Sequence, residues 1–121
     1  MTIQKILIVD DSPTERFYLS DILFRNGFTV SVAENGEEAL QKIRAEKPDL
    51  ILMDVVMPGA NGFQITRSIA RDPGLQDVPV IICSSKNQET DRIWGLRQGA
   101  RAYLVKPVDA AELLARIAGL A

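Results

Sequence analysis

The chain has 121 residues, with 14 Lys or Arg against 16 Asp or Glu, a net charge of −2 and no histidine. That length buries a continuous core for one domain without disulfides or a structural metal, and the near-balanced charge excludes a whole-surface attraction to nucleic acid or anionic lipid. Without histidine there is no imidazole zinc site, no Ser-His-Asp or Cys-His triad and no phosphohistidine in cis, so carboxylates, hydroxyls and lysines must carry the chemistry.

The first apolar run, Ile6 to Val9, reads as a strand. Ser12, Pro13 and Glu15 then mark a helix start as N-cap, first-turn proline and capping-box partner, and Gly27 closes a helix with Leu19, Ile22 and Leu23 on one face. Val30 to Ala33 alternates with polar neighbours, as a less covered edge strand does. A second helix is predicted over about Gly36 to Lys47, with Ala39, Leu40 and Ile43 inward, stopping before Pro48. Leu50 to Met53 is a continuously apolar third strand, followed by a helix starting near Gly62 with Ile65 and Ile69 at i and i+4.

Val80 to Cys83 makes a fourth strand. A helix over about Glu89 to Gln98 ends at Gly99, with Ile93, Leu96 and Ala100 expected to be buried and Trp94 at the boundary of that face. Ala102 to Val105 is the fifth strand, and Asp109 with Glu112 caps a last helix that buries Leu113, Ile117 and Leu120. Strands alternating with helices mean a doubly wound parallel α/β sheet. No linker or repeat divides it, so residues 1–121 are expected to form a single domain with no output domain.

Cys83 has no partner for a bridge and reads as a small buried apolar residue in a reducing cytosol. No apolar run reaches the roughly 20 residues of a membrane span, and the N-terminus lacks the pattern of a secretory signal. A cytoplasmic protein without membrane insertion or nucleic-acid contact is expected.

Ligands of an open parallel sheet bind beyond the carboxyl ends of its strands, where the winding reverses. At that rim the sequence places Asp10 and Asp11 after the first strand, Asp54 after the third, Ser84 and Ser85 after the fourth and Lys106 after the fifth. Converging carboxylates repel one another unless a cation neutralises them, and an all-oxygen set suits Mg²⁺, which leaves room for a phosphate oxygen. Asp54 is the candidate nucleophile because a carboxylate can accept a phosphoryl group and this one ends the central strand. Asp11 would hold the metal directly and Asp10 through water. Lys106 supplies a point charge and Ser84 a hydroxyl for the phosphate oxygens.

The run ILIVDDS, the segment LILMDVVMPG, a hydroxyl residue after PVIIC and the stretch Tyr103-Leu104-Val105-Lys106-Pro107 together resemble the receiver domain of bacterial response regulators, across the whole chain. The spacings agree: the acceptor stands 44 and 43 positions after the paired acids, the hydroxyl 30 and the lysine 52 after the acceptor. The resemblance implies a flavodoxin-like, CheY-like fold with strand order 2-1-3-4-5, the order for which CheY is the standing example. It further implies that Asp54 takes its phosphoryl group from a phosphohistidine on a separate kinase. The Val56 carbonyl would complete the metal site, and Lys106-Pro107 would be cis. Ser84 would close onto the phosphate as Tyr103 turns inward, changing the partner surface of the fourth helix, fifth strand and fifth helix. The segments DSPTE and MDVVMPGANGFQITR, and Glu89-Thr90-Asp91 leading to Trp94-Gly95 and Arg97-Gln98-Gly99-Ala100-Arg101, are similar to PilH-type regulators of type IV pilus twitching motility. They imply a chemotaxis-like pathway and a PilL/ChpA-like kinase.

Two positions depart from the broad family pattern. Val56 is apolar where many members carry a polar side chain, and Ser84 stands where threonine is commoner. Ser85 and Lys86 are rim residues with no assigned role, and Trp94 is either boundary packing or a partner anchor. Three other readings are open: a phosphate sink for a sibling regulator, an interaction module that works without phosphorylation, and a Mg²⁺-dependent phosphatase. The last needs a second acid close after Asp54, where Val55 and Val56 stand.

Overall fold

The computed structural model describes residues 2–120. In chain order the elements are β1 (Lys5–Val9), α1 (Pro13–Arg25), β2 (Thr29–Ala33), α2 (Gly36–Ala45), β3 (Leu50–Met53), α3 (Gly62–Arg71), β4 (Val80–Ser84), α4 (Glu89–Arg97), β5 (Ala102–Val105) and α5 (Ala110–Ala118). The strands form one parallel sheet in the order β2-β1-β3-β4-β5. β2 lies at an edge and alternates exposed with covered residues, as its polar pattern predicted.

The central strands are apolar throughout because both sheet faces are covered. Leu7, Val9, Ile51, Met53, Val80 and Ile82 pack against Ala39, Ile43, Ile65 and Ile69 of α2 and α3. From the opposite face Ile6, Ile8, Leu50, Leu52, Ile81 and Cys83 meet Leu19 and Leu23 of α1 and Leu113 and Ile117 of α5. At about 25 cal/mol per Å² of apolar surface removed from water, these two layers supply most of the drive to fold.

The helix starts follow their caps. Asn35, Asn61 and Asp109 each accept the backbone N–H of the third helical residue, and Gln64 returns the bond at Asn61. Four helical expectations need correction. α2 stops at Ala45, two residues short, because Glu46 has turned extended ahead of Pro48. Ser12 does accept from the Glu15 amide, but Glu15 does not complete a capping box, because the Ser12 amide donates to Asp10 instead. Ile93 and Leu96 of α4 are exposed, and Leu120 is only half-buried beyond the end of α5.

The reason in α4 is its seat on the sheet. A Cβ on Gly95 would stand 2.9 Å from Ile82 Cδ1 and 3.0 Å from Tyr103 Cδ2, so the helix rests on its glycine and turns its aliphatic residues outward. Trp94, expected at the boundary, is half exposed.

Candidate functional site: an acidic rim with one lysine

Register puts the site together. β1 and β3 pair Val9 with Met53, so the next residues, Asp10 and Asp54, leave the sheet side by side. Their amides extend the ladder, Asp10 N–H to the Ala33 carbonyl at 3.0 Å and Asp54 N–H to the Val9 carbonyl at 2.9 Å. β4 pairs Ser84 with Val105, and the Lys106 amide donates to the Ser84 carbonyl at 2.9 Å, which directs the lysine to the same rim.

Asp10 and Asp54 are 2% and 6% exposed and Ser84 is fully buried, whereas Asp11 is exposed. Carboxylate oxygens of Asp10, Asp11 and Asp54 lie within 4.8 Å of one another. The Lys106 ammonium donates to Asp10 Oδ2 at 2.7 Å and reaches Asp54 Oδ1 at 3.4 Å. Burial, and then the neighbouring charge of Asp10, push the Asp54 carboxyl up to about 6, against the pull of Lys106. Lys106 itself is raised: burial works against its charge, and the hydrogen bond to Asp10 with the charges of Asp54 and Asp10 outweighs it. The site therefore holds concentrated negative charge that a single ammonium compensates only in part. A hard cation with oxygen ligands fits that donor set.

The surrounding backbone is tied down. The second Asp10 oxygen accepts the Ser12 amide at 2.9 Å, and Arg16 Nη1 donates to the Asp10 carbonyl at 2.8 Å. Gly62 packs so closely that a Cβ there would sit 1.8 Å from the Asp54 carbonyl oxygen. Ser84 Oγ accepts the Lys86 amide at 3.1 Å, and the half-buried Tyr103 donates its hydroxyl to the Lys86 carbonyl at 2.8 Å. Val56 is 58% exposed beside the acceptor loop, and the Lys106-Pro107 peptide is cis as the resemblance implies.

Asp10, Asp11, Asp54 and Lys106 thus converge. Ser84 and Tyr103 are joined through the two ends of Lys86, a residue that the sequence reading left without a role. Arg16 and Gly62 were not singled out for the site either. An arginine one turn into the first helix carries no distinctive spacing, and a glycine at a helix start is expected without any site nearby.

Residues 6–118 match the response regulator receiver domain. The chain belongs to that family. It is 55% identical over 113 residues to protein PilH of Pseudomonas aeruginosa, covering 93% of each chain. To the DNA-binding response regulator MtrA of Mycolicibacterium smegmatis it is 38% identical over 94% of its own length, spanning 49% of that protein. The fold superposes on the Vibrio cholerae chemotaxis protein CheY4 with a TM-score of 0.90 at 29% identity, covering 99% of this chain and 100% of that one. A signal receiver domain of a histidine kinase from Syntrophus aciditrophicus gives 0.89 at 33% identity over 97% and 89% of the two chains. The chain is therefore a response regulator receiver, and no helix among the described residues is long and apolar enough to cross a membrane.

Proposed function

We propose that this receiver works as one domain that accepts a phosphoryl group on Asp54 from the phosphohistidine of a separate kinase. The observation that carries the reading is the single ammonium of Lys106 shared between Asp10 and Asp54 beside three converging carboxylates. In the transfer an Asp54 oxygen forms the new P–O bond as the P–N bond of the donor imidazole breaks, with the electron pair left on that nitrogen, which takes a proton from water. Asp54 needs no base, because its carboxylate is already the nucleophile above about pH 6.

Asp10, Asp11, Asp54 and the Val56 carbonyl would hold Mg²⁺, which when bound neutralises charge on the transferring group. Lys106 pairs a second phosphoryl oxygen and the Ser84 hydroxyl donates to a third. Drawing Ser84 toward the phosphoryl group breaks its bond to the Lys86 amide. The Lys86 carbonyl that holds Tyr103 is then released, which reshapes the surface of α4, β5 and α5. Ile93, Trp94 and Val105 are exposed on those elements, and they suit an apolar partner contact that transmits the output.

The 55% identity to PilH over 93% of both chains supports the setting that the sequence resemblance implies. That setting is a cytoplasmic, chemotaxis-like phosphorelay acting on type IV pilus extension and retraction, with a PilL/ChpA-like kinase as donor. Incubation with acetyl phosphate and Mg²⁺ followed by intact-mass measurement tests the chemistry. A gain of one phosphoryl group, absent in Asp54→Asn and in EDTA, is expected; no adduct under any condition would favour a phosphorylation-independent interaction module.

A further inference from the structure

Among the described residues one buried side-chain oxygen has no hydrogen-bond partner, Glu15 Oε1. Glu15 is the third residue of α1, and its amide is taken by Ser12 Oγ at 3.3 Å. A glutamate at this position ordinarily folds back onto the amide of the cap residue. Here that amide donates to Asp10 Oδ1 at 2.9 Å, so the carboxylate is turned away from its usual partner. Arg16 is no substitute, since its guanidinium is committed to the Asp10 carbonyl and to Glu34.

The direction Glu15 faces follows from its helix. Tyr18, three residues on and on the same face, donates its hydroxyl to the Val108 carbonyl at 2.6 Å, so this side of α1 lies against the segment carrying Lys106. The negative charge of Glu15 is felt both at Lys106 and at the buried Cys83, each of which it helps to raise. An ammonium has three donors. Lys106 directs one to Asp10 at 2.7 Å and a longer one to Asp54 at 3.4 Å.

A carboxylate oxygen left without a donor, on the helix face turned toward the Lys106 segment, together with a lysine whose main partner is a metal-site carboxylate, implies a second arrangement. We propose that Glu15 is a positioning residue for Lys106: it takes the ammonium's hydrogen bond when a divalent cation claims the Asp10 carboxylate, and so holds the lysine at the edge of the site for the phosphoryl group. This rests on the reading of Asp54, Asp10 and Lys106 given above. It explains why a buried acceptor is tolerated without a donor, because the vacancy belongs to one of the two lysine positions.

A double-mutant cycle tests it. Mg²⁺ is titrated into wild type, Glu15→Gln, Lys106→Ala and the double variant, with amide NMR shifts reporting both binding and an intact fold. With Lys106 present, Glu15→Gln is expected to weaken Mg²⁺ binding by about fivefold beyond its effect in the Lys106→Ala background, a coupling ordinary for groups in contact. Glu15→Asp, which keeps the charge, should recover most of the loss. Equal losses in both backgrounds would make Glu15 a distant charge only and overturn the proposal, as would no loss at all. If Glu15→Gln does not fold, the same comparison is made with Glu15→Asp, whose smaller loss must still vanish without Lys106. Wild type that binds Mg²⁺ and gains a phosphoryl group while the cycle is additive overturns the role of Glu15 alone. Wild type that binds no Mg²⁺ overturns the reading of the site and this inference with it.

Discussion

Replacing Asp54 by asparagine should stabilise the metal-free protein. The Asp54 carboxyl titrates near 6 in the folded chain against an ordinary 3.8, so the folded state binds this proton more tightly than the unfolded state does. A group shifted in that direction weakens the fold as pH rises through the interval from 3.8 to about 6, and the full penalty is present above it. At about 1.36 kcal/mol for each tenfold change in proton affinity, a rise from 3.8 to about 6 amounts to about 3 kcal/mol at neutral pH. Asparagine keeps the shape and removes the charge. Lys106 is not stranded, because its shorter bond, 2.7 Å, is to Asp10. The net of about 3 kcal/mol already includes the pull of Lys106, and the poorer fit of an amide among charged neighbours sets the expected gain between about 1 and 3 kcal/mol.

The assay is urea unfolding at pH 7.5 in EDTA, repeated at pH 4.5. Asp54→Asn should have the higher midpoint at pH 7.5, the difference should shrink at pH 4.5, and millimolar Mg²⁺ should narrow it by stabilising only the wild type. An Asp54→Asn protein no more stable than wild type at pH 7.5, or a gap unchanged between the two pH values, would refute the argument.

Gly62→Ala places a Cβ 1.8 Å from the Asp54 carbonyl oxygen, backbone that cannot swing aside, and should cost at least about 2 kcal/mol in urea unfolding. An unchanged midpoint would contradict the close approach. Cys83 is 2% exposed and burial pushes its thiol up to about 12, so a disulfide reagent should label it only at the rate of global unfolding. Rapid labelling of native protein would count against that burial. Ser84→Ala removes the acceptor for the Lys86 amide and should lower stability by about 1 kcal/mol, whereas Ser84→Thr, which keeps the oxygen, should lose less. Equal effects of the two would show that the hydroxyl is not the group that matters.

The sheet was legible because a strand covered on both faces must be apolar for its whole length, and Leu50 to Met53 and Val80 to Cys83 satisfy no other element of that length so well. The site was legible because parallel strands deliver their following residues to one rim, so Asp10, Asp54 and Lys106 could be placed together before any register was known. What failed depends on contacts between elements distant in sequence. α4 was assigned an aliphatic inner face on periodicity alone, yet its packing is set by the Tyr103 ring, which admits only Gly95 beneath the helix. The Ser12–Glu15 pair satisfies a local capping rule, but a carboxylate on the preceding loop, Asp10, competes for the same amide and wins because it is charged and already fixed by the sheet.

The same bonds bound how far phosphorylation alone can drive the switch. Taking an equilibrium from 1:99 to 99:1 needs about 5.5 kcal/mol of differential interaction. On the proposed reading, new bonds from the Ser84 hydroxyl and Lys106 to a phosphoryl group would be charge-assisted, together about 3 to 6 kcal/mol. Against them stand the Lys86 amide to Ser84 and Tyr103 to Lys86 bonds of the resting loop, about 1 kcal/mol each. The net, on the order of 3 kcal/mol, is about hundredfold in equilibrium, enough to bring a rare conformer to parity and not to dominance. Amide resonances of the loop between β4 and α4 should therefore lie midway between two states in the phosphorylated protein. Tyr103→Phe removes one resting bond, and should move them about fivefold toward the second state in population. Resonances in one place in both phosphorylated proteins would refute this balance. If they do move, the remaining drive must come from a partner, and the proposed binding to α4, β5 and α5 would then be coupled to phosphorylation in both directions.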